Sequence, residues 1–216
     1  PNGGLVASQL RSHGVPFAQV PIAGDTRQSF TVIDRSSMRQ YRFVLPGPTM
    51  QPDEWDACLD ATIEAARGAA CVVASSSMPD GVPVDALATL ARRVHEMGVR
   101  VIVDTSGPAL RAAIDAPVDL VKPSANELRG IAGRDLEGEA DYVAAARELL
   151  AAGSCRAIAV ALVAAGALLV ERNRPAIALR APAVRVVSTV GAGDSMVAAI
   201  AIGLTRGDSL VDAARL

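Results

Sequence analysis

Lysine is almost missing from this sequence: of 21 basic residues Lys122 is the one lysine, and the other twenty are arginines. Aromatic residues are scarce at 3%, so a core has to be assembled from alanine, valine, leucine and isoleucine. The supply is ample, because half the chain is hydrophobic; that composition excludes a disordered protein and suits one domain with a small appendage. There is no basic excess. A formal net charge of −2 leaves no electrostatic footprint for nucleic acid, so no nucleic-acid partner is expected. No apolar run reaches the ~18 residues of a membrane span. The most apolar segment, Ala157 to Val170, is shorter and is split by Gly166, and Pro1-Asn2-Gly3-Gly4 does not read as a signal peptide, so no membrane partner is expected. Cys58, Cys71 and Cys155 show neither CxxC nor zinc spacing and read as reduced thiols of a cytoplasmic protein.

What is present is alternation. From Ala69 onward, short β-branched runs exchange with amphipathic helical patterns. Strands are expected at Cys71–Ala74, Val99–Val103, Val118–Val121, Ala157–Leu162 and Ala167–Val170. Helices are expected at Val84–Met97, Gly107–Ile114, Ala125–Ala132, Ala140–Ala152 and Gly191–Leu204. Strands that are apolar throughout, separated by helices, imply a parallel sheet covered on both faces. Before residue 69 the pattern changes. Phe17–Ile22, Ser29–Asp34 and Gln40–Leu45 alternate apolar and polar residues, which suggests a small antiparallel flap bounded by Pro46-Gly47-Pro48.

In parallel sheets, ligands sit beyond the carboxyl ends of the strands. The segments there are Ser75-Ser76-Ser77, Asp104-Thr105-Ser106-Gly107, Lys122-Pro123-Ser124 and Thr189-Val190-Gly191-Ala192-Gly193-Asp194. The last opens a helix, and its small residues let backbone N–H groups approach an anion closely. Asp194 then reads either as a base beside a phosphate or as a first-turn charge favoured by the helix dipole. Lys122, held extended by Pro123, is either a contact for nucleotide phosphates or a solvated surface lysine. Glu127 is either a ligand of Mg²⁺-bound water or another dipole charge. Asp104 ends a buried strand and reads as a structural hydrogen-bonding group. His13 and His95 read as caps or surface residues, and Asp53-Glu54 as a helix start.

Together these segments resemble the ribokinase/phosphofructokinase-B family of carbohydrate kinases. Ser188-Thr-Val-Gly-Ala-Gly-Asp-Ser-Met-Val-Ala-Ala matches the family's second signature, Lys122-Pro-Ser-Ala-Asn-Glu-Leu128 its KPNxxEL segment, and Asp104-Thr-Ser-Gly107 its DxSG. Ser75 to Gly81 corresponds to SGSLPPG. Thr26-Arg27-Gln28 with Gln40 to Gly47 is similar to the flap of the family's minor 6-phosphofructokinases.

The resemblance implies a ribokinase-like three-layer α/β/α sandwich with a mostly parallel sheet, its core at residues 1–16 and 46–216 incomplete at both ends, and an antiparallel β lid at 17–45. It implies ATP- and Mg²⁺-dependent phosphorylation of a sugar phosphate, fructose 6-phosphate before tagatose 6-phosphate or fructose 1-phosphate, by a homodimer paired through the lid. The implied roles are Asp194 as general base and sugar contact, and Gly191, Ala192 and Gly193 as anion hole. Arg27 and Ser77 would bind the sugar phosphate, Lys122, Ser124, Gly166 and Thr189 would bind ATP, and Glu127 would order the hydration of Mg²⁺. The sequence departs from the family at Ser124 (for asparagine), at Ser76 (for glycine) and at Ala161-Leu-Val-Ala-Ala-Gly166 (for SLGxxG). That last departure keeps a second reading open, a catalytically weak or silent relative that binds sugar phosphate.

Overall fold

A computed structural model describes residues 2–37, 39–162, 165–181, 183 and 190–216. The chain divides into two compact units, Pro1–Glu64 with Met78–Pro83 and Ala65–Ser77 with Val84–Leu216.

The first unit carries α1 (Asn2–Ser12), β1 (Ser29–Ile33), β2 (Gln40–Val44) and most of α2 (Pro52–Ala66). Strands β1 and β2 are antiparallel, with Phe30 opposite Phe43 and Val32 opposite Tyr41. Directly opposed residues share a face, so these four make one apolar face, on which Phe30 and Phe43 stack at 5.1 Å. Every residue of both strands is exposed. The turn between them is tied by Asp34, which accepts hydrogen bonds from Ser36 N (2.8 Å), Ser36 Oγ (2.7 Å) and Ser37 Oγ (2.6 Å). Bonds from Ser37 and then Ser36 favour the ionised form and hold the Asp34 carboxyl down at about 2. The strand expected at Phe17–Ile22 does not form. Pro16 precedes it and Pro21 lies within it, and neither has an N–H to donate to a ladder.

The second unit is a six-stranded sheet in the order β3 (Cys71–Ser75), β4 (Arg100–Asp104), β5 (Leu120–Val121), β6 (Ala157–Ala161), β7 (Ala167–Glu171), β8 (Ile177–Leu179). Strands β3 to β6 are parallel, each pair linked through helices. The sheet is mostly parallel, as expected, and its antiparallel part lies at the far edge, where β6, β7 and β8 are antiparallel. The cause is chain length: five residues, 162–166, join β6 to β7, and a parallel return needs a dozen or more.

Helices α3 (Ala86–Glu96), α4 (Gly107–Ile114), α5 (Ala125–Ala132), α6 (Gly138–Ala152), α7 (Ala192–Arg206) and α8 (Leu210–Ala213) complete the unit. Ile102, Leu120, Ala157, Ala159 and Leu169 pack on one side against Val197 and Ile200 of α7 and Leu210 of α8. Val101 and Val103, alternating with Ile102, point the other way, and all three are completely buried. Both faces are therefore covered, in a three-layer α/β/α arrangement. Each of the buried valine, leucine and isoleucine side chains contributes about 1.5–3 kcal/mol by leaving water.

Candidate active site

Adjacent parallel strands β4 and β5 pair Val103 with Val121. The next residue on each is therefore brought alongside: Asp104 on β4, Lys122 after β5. Their side chains form an ion pair, Nζ to Oδ1 at 3.1 Å, with the lysine side chain only 8% exposed. Lys122 is thus not the solvated surface residue that was one reading of it. The backbone around the pair is fixed as well, since Lys122 N–H donates to Val103 O and Ser76 N–H donates to Asp104 O, both at 3.0 Å.

Helix α7 begins over the same strand ends. Gly191 is its N-cap at φ +81°, a left-handed conformation that suits glycine, and the cap offers no side chain to the first-turn N–H groups. Gly193 faces the lysine: a Cβ there would stand 3.2 Å from Lys122 Nζ and 3.7 Å from Cε. The absent side chain leaves the ammonium room at the start of the helix. Asp194 follows in the first turn and is exposed.

The carboxylates sense one another. Burial pushes the Asp104 carboxyl above its usual value, the Lys122 ammonium opposes that, and the charges of Glu127 and Asp194 add to the rise. Asp104, Lys122 and Gly193 thus meet at the start of α7, within electrostatic range of Glu127 and Asp194. Sequence reasoning gave Asp104 a structural hydrogen-bonding role, and the register of β4 on β5 adds the ion pair with Lys122.

Ser124 and Glu127 are joined in a capping box at the start of α5. Ser124 N–H donates to Glu127 Oε2 at 2.7 Å, and Glu127 N–H donates to Ser124 Oγ at 3.3 Å. The Ser124 hydroxyl thus serves the helix start, and Glu127 retains Oε1. Ser124 also bridges to Ala161, whose N–H donates to Pro123 O at 2.9 Å. Beside them opens a cavity of about 390 Å³ lined by Ser124, Ala125, Asn126, Tyr142, Leu162 and Ala165, among others.

Gly166 sits at φ +99°, and a Cβ there would lie 2.0 Å from Leu179 O. Its place is the close approach of the β6–β7 turn to the end of β8. Ser77 is exposed in the segment after β3, and Arg27 is exposed in the first unit, its Cβ 3.6 Å from where a Gly47 side chain would begin. Thr189 and Val163 lie outside the described residues. His13 and His95 are exposed, with His13 Nδ1 2.9 Å from Gln9 O, as expected for helix-end residues. The three thiols are free, and burial pushes Cys71 and Cys155 up to about 11. Among the described residues no helix is long and apolar enough to cross a membrane.

The model of the pfkB family of carbohydrate kinases matches residues 1–216. The chain belongs to that family. Within it, the chain is 44% identical over 214 residues to the ATP-dependent 6-phosphofructokinase isozyme 2 of Mycobacterium tuberculosis, covering 99% of this chain and 62% of that protein. It is 37% identical over its whole length to the 1-phosphofructokinase of Rhodobacter capsulatus, covering 68% of the latter. The crystal structure of Escherichia coli phosphofructokinase-2 in complex with fructose-6-phosphate matches with a TM-score of 0.88 at 36% identity, over 98% of this chain and 69% of that one. This pfkB chain thus spans 62% to 69% of the length of these relatives.

Proposed function

We propose that this chain is the greater part of an ATP- and Mg²⁺-dependent sugar-phosphate kinase whose acceptor is fructose 6-phosphate. The observation that carries the proposal is the buried Lys122 ammonium at the uncapped start of α7, with Asp194 one residue beyond Gly193. A cation beside a helix first turn that itself offers backbone N–H groups and a carboxylate suits a phosphoryl group in transit, where catalysis is mostly positioning and electrostatics.

In this mechanism Asp194 accepts the proton of the acceptor hydroxyl as that oxygen bonds to the γ-phosphorus. The bond from the γ-phosphorus to the β,γ-bridging oxygen breaks, and its electron pair leaves with ADP. Gly191, Ala192 and Gly193 present their N–H groups to the phosphoryl oxygens, and Lys122 offsets their charge. Among the described residues no three His, Cys, Asp or Glu side chains cluster as a metal cage. The set suits Mg²⁺, which is held by one or two carboxylates with water and substrate phosphates; Glu127, with Oε1 outside the capping box, is the residue for its hydration shell. The metal supplies neutralisation of phosphate charge. Ser124, Gly166 and Thr189 are assigned to the nucleotide, and Arg27 and Ser77 to the sugar phosphate. Free, unreactive thiols fit a cytoplasmic location, and the apolar β1–β2 face fits pairing of lids in a homodimer, with 17–45 as the lid.

Ala161 supports the second reading, a weak or silent binder, because it brings no hydroxyl to the strand end beside Ser124. A panel of nucleoside triphosphates against fructose 6-phosphate, tagatose 6-phosphate and fructose 1-phosphate decides. Fructose 1,6-bisphosphate from ATP and fructose 6-phosphate is expected; sugar-phosphate binding with no product from any pair would leave the silent relative.

A further inference from the structure

We infer that Asp104 is a positioning residue of this site: its ion pair aims the Lys122 ammonium at the first turn of α7, and Gly193 is glycine to leave that ammonium room. The inference rests on the kinase reading above. Lysine carries a compact charge on a flexible four-carbon stem, so its position must be set by what surrounds it. Here the surroundings are specific. The side chain is 8% exposed, Oδ1 of Asp104 lies 3.1 Å from Nζ, and the Asp104 side chain is itself 16% exposed. A buried charge without its partner is costly, so the ammonium stays where Asp104 is.

Both partners sit on rigid backbone. The β4–β5 register sets them side by side, and the hydrogen bond from Ser76 N–H to Asp104 O ties the β3 end to the same point. On its other side the ammonium meets Gly193, where a Cβ would stand at 3.2 Å. Such a contact is tighter than ordinary packing, so a Cβ at 193 makes the ammonium give by a few tenths of an ångström. Glu127 and Asp194 also act electrostatically on Asp104. Released from Asp104, the ammonium would swing toward either of those carboxylates and lose its aim. Alignment matters most when charge redistributes in the transition state, so the loss belongs in kcat rather than KM.

The near-isosteric Asp104→Asn is expected to lower kcat for phosphoryl transfer by ~10- to 100-fold, with KM for both substrates within about threefold. Asp104→Glu, which keeps the charge, recovers part of that loss. Gly193→Ala tests the other side of the ammonium, and alanine is the better helix former, so a folding defect is not expected there. Because both act through one ammonium, the double variant should be little worse than the poorer single one. Multiplicative losses, or Asp104→Asn within twofold of the parent kcat, overturn the inference.

A second readout needs no turnover. Since Lys122 is the sole lysine, protein labelled with ¹⁵N-lysine gives one side-chain resonance, which should move in Asp104→Asn and in Gly193→Ala. An unmoved resonance in both refutes the positioning contact. Should the parent protein phosphorylate nothing in the panel, the kinase reading fails, and the resonance still decides whether Asp104 holds Lys122.

Discussion

Asp194 is exposed in the first turn of α7, and its proposed work is to take a proton, which asparagine of the same shape cannot do. Asp194→Asn should therefore cut turnover by ~10²-fold or more while sugar-phosphate binding changes far less, as steady-state kinetics beside calorimetry would show. Near-normal turnover would remove Asp194 from the role of base. Asp34 makes a prediction of a different kind. Its carboxyl is held down at about 2 by Ser37 and Ser36, so its stabilising contribution is complete above the usual carboxylate range and is lost as pH falls through 2. Carboxyl ¹³C shifts should follow that titration in the native protein and move back toward 3.8 in Ser37→Ala.

At this scale the sequence was readable where a residue's neighbours in the chain define its setting. Glycine at 191, with the small residues after it, announced a helix start from local spacing alone. Lys122 was not readable in the same way, because its partner lies eighteen residues away on another strand. Only the register of β4 on β5 shows that the two meet.

Among elements, helices α4 and α5 were legible from their patterns, and the structure shows Pro108 and Ser124 at their starts and Gly133 at the stop of α5. The strands of β3 to β6 were legible as apolar runs. Strand direction was not, because the pattern of β7 is as apolar as that of a parallel neighbour and only the short 162–166 link reverses it. Elements of three and four residues, β8 and α8, fall below what a periodicity can register.

Gly166 belongs to this scale, since it lets the β6–β7 turn close against the end of β8. Gly166→Ala places a Cβ 2.0 Å from Leu179 O at a φ of +99°. A loss of at least about 2 kcal/mol in urea unfolding is expected. An unchanged midpoint would mean that the turn relaxes freely.

For the whole molecule, the pressing feature is the aromatic face of β1–β2. Phe30, Val32, Tyr41 and Phe43 are each about half exposed, and a two-stranded sheet is marginal by itself in water. Pairing of lids would cover that face. Phe30→Ser with Phe43→Ser should then shift the protein toward monomer in light scattering, without lowering the unfolding midpoint of the second unit. If the mass is unchanged, assembly does not use this face.

The mixed direction of the central sheet also bears on how the chain finds its structure. Strands β6, β7 and β8 follow one another within residues 157–179, whereas β3 meets β4 across a helix and β5 meets β6 across two. Loop closure over short separations is entropically cheap and fast, so the antiparallel meander has low contact order and the parallel half has high contact order. During refolding, amides of Ile158, Val160, Leu168 and Val170 should gain protection from exchange before those of Val73 and Val103. The half that carries the Asp104–Lys122 pair would then form last, on an edge already built.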